Sequence, residues 1–529
     1  MSTADETGGL GRERAVVLGG LMLGMLLGSI DQSIVSTALP TIVGELGGAD
    51  KLSWIVTAYL VTVTVTTPLY GKLSDVYGRA RIFETSITIF LVGSALSGLA
   101  GDVPGLGAYL SPMAQLATFR ALQGVGAGGL IAMATTILGD IFSPRERGKY
   151  MSYMMLIFGA ATVGGPLLGG YLTDHYSWRW IFYINVPIGL AAIAVSHWKL
   201  DLPLPEKSHT IDYLGAVLLV VAVTSLTLLT TWGGSRYAWD STEILGLGAV
   251  TVLFAAGFVL QELRAPEPLF PLELLEKRTI AGVLLVSLCL GSGMFGATIY
   301  LPVFLQTVLG ASATNSGLLL LPLVGGMLVT SAVTGQLMTR LGRYKPFTVA
   351  GGVVGAVGFW LLHTMTPTTT HLESTAYMVV TGMGLGFVMP TLTIAVQNVV
   401  DRSNLGVATT SVTFSRSLGS SIGVAVLGAI LTNQLESRFA DAFGAAGSAG
   451  MASQGSISPD AIQSLPPGVR EQVQTVLANS LDVVFLTASG VLVAAAVVAL
   501  LLPSLGLDDD VNVHLGEGEV EPTPGSSHD

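Results

Sequence analysis

The sequence predicts an all-α membrane protein of fourteen transmembrane helices, built as two six-helix pseudo-repeats with two helices inserted between them. Three observations lead there. The 529-residue chain is 50% hydrophobic and only 11% charged, with a mean hydropathy of +0.66, whereas soluble chains average about a quarter charged residues. Its apolar runs are long enough for membrane helices, which need about 20 residues to cross ~30 Å of hydrocarbon. A glycine-rich pattern in the first part of the chain returns in the second. The composition also excludes an ordinary soluble enzyme and a disordered chain, since disorder needs low hydrophobicity and high net charge. The 66 glycines follow no collagen triplet.

The runs fall near 16–39, 54–71, 82–100, 116–139, 151–171, 180–197, 213–232, 244–261, 280–304, 314–339, 347–364, 376–398, 405–431 and 481–503. They are continuously apolar rather than alternating, unlike the strands of a membrane β-barrel. The first is too long for the apolar core of a signal peptide, about 7–15 residues, and contains an Asp, so it is expected to stay as a helix. Lys and Arg in short loops remain on the cytoplasmic side. With the N-terminus inside, seventeen of the 24 Lys and Arg fall in cytoplasmic segments, five fall outside, and two, Arg120 and Arg416, fall within spans. This bias supports the even helix count and predicts that both termini are cytoplasmic; the expected location is the plasma membrane, crossed many times.

The expected organisation is a cytoplasmic N-terminus (1–15), an N-terminal bundle (16–198), a linker carrying the two extra helices (199–279) and a C-terminal bundle (280–504). A long external loop (432–480) is expected within the last. Its Gly/Ala/Ser-rich start reads as flexible, and Ser458 to Ala478 as a short amphipathic helix. Seven acids after Leu507, including Asp508-Asp509-Asp510, make 505–529 an acidic disordered cytoplasmic tail and account for much of the net charge of −11. The single Cys289 permits no intramolecular disulfide.

The repeat is specific. Gly71-Lys72-Leu73-Ser74-Asp75-Val76-Tyr77-Gly78-Arg79 ends the second run, and Gly335-Gln336-Leu337-Met338-Thr339-Arg340-Leu341-Gly342-Arg343 ends the tenth, with Gly, Leu, Gly and Arg recurring 264 positions on. Gly124, Gly126 and Gly128 recur as Gly382, Gly384 and Gly386, 258 positions on. Parallel repeats of this kind are typical of secondary transporters whose substrate site lies between two halves.

The Gly71 to Arg79 segment resembles the loop signature of the major facilitator superfamily, although Val76 and Ala80 stand where that loop carries basic residues. Gly164-Gly165-Pro166-Leu167-Leu168-Gly169-Gly170 is similar to the superfamily's antiporter motif. Ile30-Asp31-Gln32-Ser33-Ile34-Val35-Ser36-Thr37-Ala38-Leu39-Pro40 resembles the first-helix signature of its fourteen-helix drug/proton antiporter branch. Trp54-Ile55-Val56-Thr57-Ala58-Tyr59-Leu60 and Trp178-Arg179-Trp180-Ile181-Phe182-Tyr183-Ile184-Asn185 are also similar to that branch. The resemblance implies the major facilitator fold and proton-coupled efflux of drugs or a secondary metabolite by alternating access. The alternative is a same-fold transporter of an endogenous lipid, amino acid or metabolite. A non-transporting membrane scaffold is disfavoured because Asp31, Arg120 and the antiporter-like motif occur in one chain.

Ionisable residues inside spans are costly and mark function by default. Asp31 is the expected proton-coupling group, because taking a carboxyl out of water favours its neutral form; a helix-packing hydrogen bond is the plainer alternative. Arg120 cannot usefully deprotonate, so its expected role is to favour the charged carboxylate, unless it snorkels to an interface. Arg416 is a candidate for an anionic substrate group or a carboxylate partner, or equally for a snorkelling cation. Gly71, Asp75, Gly78 and Arg79 form an expected conformational gate, with Asp75 accepting from a helix N-terminus or an Arg across the halves. Pro166, which removes a backbone hydrogen bond, and Gly164, Gly165, Gly169 and Gly170 predict a kinked, close-packed fifth helix at the interface between halves. Trp54, Tyr59, Gln123, Tyr300 and Arg416 are candidates for an adaptable substrate cavity.

No Gly-x-x-x-x-Gly-Lys-Ser/Thr phosphate loop, His-Glu-x-x-His helix or Cys cluster occurs. Direct ATP drive is therefore unsupported; the resemblance implies a proton gradient as the energy source, and no cofactor and no metal are expected. The expected partners are protons, small amphipathic or cationic substrates and the lipid bilayer, with no nucleic acid.

Overall fold

The computed structural model describes residues 3–46, 52–105, 107, 109–200, 212–234, 236–270, 272–311, 319–401, 404–452, 462–463, 465–504 and 506. Among them the secondary structure is helical apart from two isolated bridges. The helices are α1 (Thr3–Leu46), α2 (Leu52–Tyr77), α3 (Arg79–Gly98), α4 (Pro112–Ile141), α5 (Pro144–His175), α6 (Trp180–Tyr183), α7 (Asn185–Lys199), α8 (Tyr213–Trp232) and α9 (Thr242–Glu262). They are followed by α10 (Arg278–Thr307), α11 (Leu321–Leu341), α12 (Lys345–His363), α13 (His371–Gln397), α14 (Leu405–Ala452) and α15 (Pro467–Leu501). Counting α6 with α7 as one crossing, 14 helices among the described residues are long and apolar enough to span a membrane.

Helix starts follow local chemistry. Ser143 and Glu146 cap α5 reciprocally, as Thr370 and Glu373 cap α13, satisfying N–H groups that a helix start leaves orphaned. Ser111 accepts from Ala114 N ahead of Pro112 in α4. Between α2 and α3 the chain turns on Gly78 alone, at φ 91°, a left-handed conformation that side chains resist.

The duplication read from the sequence is visible in the packing. The pairs α3/α4, α2/α4, α1/α5, α1/α7 and α3/α7 of the first half recur as α12/α13, α11/α13, α10/α14, α10/α15 and α12/α15 of the second. Two seams join the halves: α2 against α14, and α5 against α11. The inserted α8 and α9 pack on each other, and α8 also touches α2 and α14. Val61 and Val65 of α2 share an apolar cluster with Leu219 and Val223 of α8, against which Phe414 and Leu418 of α14 pack. Only 6% of the apolar window of α9 is buried, so this helix faces outward.

The Lys- and Arg-rich loops gather at one end, called here the basic end. There Lys72 Nζ lies 3.9 Å from Glu267, Tyr344 Oη donates to Pro503 O at 3.0 Å, and Asn398 Nδ2 donates to Gly506 O at 3.0 Å. These last contacts fasten the chain leaving α15 across two loops of the second half.

Two expectations change. The 432–480 segment is not a long loop: α14 continues through it with a break at Gly444 (φ 73°, ψ 167°), and α15 begins at Pro467. Good helix formers such as Leu435, Glu436 and Ala440 carry the helix past the last fully apolar turn. Residues 458–461 of the expected amphipathic helix and the tail from 507 on lie outside the described residues. The sixth crossing is split at Ile184 between α6 and α7. Pro166 lies inside α5, which continues on both sides of it.

Candidate functional site

Asp31, on α1, is 0% exposed and is held by three side chains from two other helices. Arg120 Nη1 on α4 donates to its Oδ2 at 2.6 Å, and Gln123 Nε2, one turn further along α4, donates to Oδ1 at 2.8 Å. Asn185 Nδ2, the first residue of α7, donates to Oδ1 at 3.3 Å and to Ser94 Oγ on α3 at 3.0 Å. Ser94 Oγ donates in turn to Phe182 O at 2.8 Å. Arg120 Nη1 also donates to Gln123 Oε1 at 2.8 Å. A guanidinium only donates and a carboxylate only accepts, so the Gln123 amide has a single permitted orientation between them.

The arginine has a second environment besides the carboxylate. Its guanidinium carbon lies 4.0 Å from the centre of the Tyr59 ring and 5.9 Å from that of Phe182, distances at which an aromatic face stabilises a cation. Arg120 Nε and Asn185 Oδ1 are buried without a hydrogen-bond partner. The cluster therefore holds a buried ion pair with donor capacity in reserve, and Arg120 keeps Gln123 and Tyr59 as partners if the carboxylate becomes neutral.

A second constellation lies at the basic end. Asp75, near the end of α2, accepts from the backbone N–H groups of Gly406 (3.1 Å) and Val407 (3.0 Å), in the first turn of α14. Arg79 Nη2 donates to the same carboxylate at 3.1 Å and also pairs with Asp140 at the end of α4. Gly71 lies directly against Gly406 O and the Thr410 side chain. The carboxylate thus ties one half to the positive end of a helix dipole in the other. At the second seam Ser152 Oγ of α5 donates to Ser331 O of α11 at 3.0 Å, and Gly148 abuts Gly335. Gln397 Nε2 of α13 donates to Thr135 O of α4 at 3.1 Å. The halves are closed against each other at the basic end.

The structure is thus a duplicated helical bundle with an ion pair inside one half and a charge lock between the halves. The family model described as Major Facilitator Superfamily matches residues 21–424. The chain belongs to the major facilitator superfamily. It is a membrane transporter, not an enzyme. An uncharacterised MFS-type transporter of Mycobacterium tuberculosis is 40% identical over 520 residues, covering 98% of this chain and 74% of that protein. The multidrug transporter protein MdtP of Bacillus subtilis is 35% identical over 521 residues, covering 94% of each. Among solved structures, the proton:xylose symporter XylE superposes with a TM-score of 0.61 at 13% identity, covering 92% of this chain and 96% of that one.

Within this superfamily member the residues singled out from sequence separate into groups. Asp31, Arg120, Gln123 and Tyr59 meet in one cluster, whereas Gly71, Asp75, Gly78 and Arg79 form the contact at the basic end. Gly165 and Gly169 pack against Ser33, Ile34 and Thr37 of α1, so the motif joins α5 to α1 inside one half rather than lining the seam. Small residues permit that approach, and Ser33 Oγ seals it by donating to Ala161 O at 2.9 Å. Gly164 and Gly170 face open space. Trp54 meets Trp232 of α8 edge-on, ring centres 5.2 Å apart, and Tyr300 Oη donates to Val424 O at 3.2 Å inside the second half. Arg416 stands half-buried on α14.

Sequence reasoning missed the roles of Asn185, Ser94 and Asp140. Asn185 closed a quoted motif, and a polar residue beginning an apolar helix was the available signal. It also missed a charge cluster at the end opposite the basic one. There Arg179 pairs with Glu45 and, at 3.0 Å, with Asp102, while Trp178 Nε1 donates to Glu45 at 2.8 Å.

Proposed function

We propose that the chain exports small amphipathic molecules, drugs or a related secondary metabolite, in exchange for protons by alternating access in a plasma membrane, with the basic end and both termini cytoplasmic. The observation that carries this reading is the fully buried Asp31 carboxylate, held by Arg120, Gln123 and Asn185. A buried carboxylate and guanidinium stabilise each other as ions, and either alone is costly. Protonation of Asp31 dissolves the pair, and Arg120 falls back on Gln123 Oε1 and the Tyr59 ring.

The change on α1 reaches the seam through α5. Ser33, two residues from Asp31, is bonded to α5, and α5 meets α11 at Ser152. Release of the basic end then breaks the Asp75 contacts to Gly406 and Val407. Orientation follows from the Lys and Arg bias, and the multidrug assignment is favoured by the name of the B. subtilis relative. No cofactor is required beyond the proton gradient.

The test is reconstitution in liposomes with an imposed pH gradient, using ethidium and 1-pyrenebutyrate as cationic and anionic amphiphiles. Wild type is expected to move probe and protons in opposite directions, and Asp31→Asn to lose both. Unimpaired coupling in Asp31→Asn overturns the role of Asp31. Absence of proton-linked flux of either probe from folded wild type overturns the exchange reading.

A further inference from the structure

Arg416 is the interior cation that the proton machinery does not use. It lies eleven residues into α14, about 16 Å from the basic end at ~1.5 Å per residue, which is mid-depth in a ~30 Å hydrocarbon layer. Its stretch of helix is immobilised: Ser420 Oγ donates to Arg416 O at 2.9 Å, Ser415 Oγ donates to Leu284 O of α10 at 2.7 Å, and Gly291 of α10 lies directly against the Arg416 carbonyl. The helix cannot roll to hide the side chain elsewhere.

The direction of the side chain follows from the register. Arg416 is seven residues, two turns, beyond Thr409, so both leave the same face of α14. Thr409 Oγ1 accepts from Gln397 Nε2 at 3.0 Å, and that amide also bonds to Thr135 O of the other half. The shared face is therefore the one directed between the halves. The Arg416 side chain is half-buried there and has no ion-pair or hydrogen-bond partner among the described residues. Three acids of the first half are committed elsewhere: Asp31 to Arg120, and Asp75 and Asp140 to Arg79. Arginine cannot relieve its cost by losing a proton, and a lone charge at this depth is expensive.

We infer that Arg416 selects the charge of the transported molecule, accepting the carboxylate of an amphipathic organic acid between the two halves. The inference rests on the exchange reading and narrows its substrate class. Beside the neutral Asp31–Arg120 pair, the unpaired Arg416 adds one positive charge, which favours anions and disfavours cations. The planar fork of arginine matches a carboxylate in a way that a lysine ammonium does not.

The test uses full-length protein in detergent and two probes sharing one ring system, 1-pyrenebutyrate and 1-pyrenemethylammonium, with binding measured by titration calorimetry against empty micelles. Wild type is expected to bind the carboxylate at least about tenfold more tightly, the scale of one charge-assisted hydrogen bond. Arg416→Gln is expected to abolish that preference, and Arg416→Lys to keep its direction at reduced size; thermal unfolding checks the fold of both. Equal or tighter binding of the ammonium by wild type overturns the inference and needs no variant. An unchanged preference in folded Arg416→Gln overturns it too, as does failure of wild type to bind pyrenebutyrate. Displacement of pyrenebutyrate by millimolar chloride, but not gluconate, assigns the arginine to an inorganic anion instead and also overturns it. Proton-linked ethidium flux that survives any of these results leaves the exchange reading standing, so the two failures are distinguishable.

Discussion

Replacing Asp75 with Ala is expected to open the basic end. In the closed arrangement its carboxylate accepts two backbone N–H groups from the first turn of α14, at 3.1 and 3.0 Å, while only 7% of the side chain is exposed. Hydrogen bonds to a charged group contribute about 1.5–3 kcal/mol each. Because the carboxylate regains water and keeps Arg79 when the halves part, the lower figure applies. The two bonds across the seam then favour closure by about 3 kcal/mol, a population shift on the order of 100-fold. Asn at this position keeps one neutral acceptor worth roughly 1 kcal/mol, so Asp75→Asn should lose about 2 kcal/mol, some 30-fold.

Double electron–electron resonance between nitroxides at Lys149→Cys and Arg340→Cys, in a Cys289→Ser background, reads the distance across the α5/α11 seam. Both labelled positions are exposed at the basic end, and the native cysteine is buried. The long-distance population should rise in the order wild type, Asp75→Asn, Asp75→Ala. Glu146→Gln, which alters only a cap on its own helix, should leave it unchanged. Distance distributions for Asp75→Ala that superpose on wild type refute the reasoning.

Arg120→Met strands a buried carboxylate and should cost about 3–5 kcal/mol, whereas adding Asp31→Asn to it should restore part of the loss. Thermal unfolding of the four proteins of this cycle checks the sign, and a double variant less stable than Arg120→Met contradicts it. The Arg179 guanidinium, assisted by Trp178, holds the Glu45 carboxyl below the usual glutamate value. The Glu45 contribution is therefore present above pH 4.5 and lost as the pH falls through the lowered folded-state value. Glu45→Gln should be less stable than wild type by about 0.5 kcal/mol at pH 7, the size of an exposed pair, and the difference should shrink as the pH falls below 4.5. A gap that widens on acidification rules out this pairing.

The fold was legible because its signals are physical necessities: an uninterrupted apolar run of about 20 residues has few homes outside a membrane, and a duplication leaves matching punctuation such as Gly71 and Gly335. Helix ends were less legible. Apolar character marks where lipid contact stops, not where hydrogen bonding stops, so α14 and α15 extend into a segment read as loop. The Asp31–Arg120 pair was readable as two costly charges, yet its other partners were not. Nothing in an asparagine at the start of an apolar stretch says which carboxylate, 154 residues away, it will meet. Asp140 is similar, an acid at a helix end whose meaning comes only from the Arg79 guanidinium that packs on it.

The placement of α8 makes the two seams unequal toward the bilayer. A helix lies across α2 and α14 on one side, and its valines and leucines fill the groove there. Along α5 and α11 no described helix takes that place. Under the exchange proposed above, a separation of the halves would leave the first seam covered by α8 and the second facing the bilayer directly, so the two inserted helices make the sides of the molecule unequal for anything that approaches through the hydrocarbon.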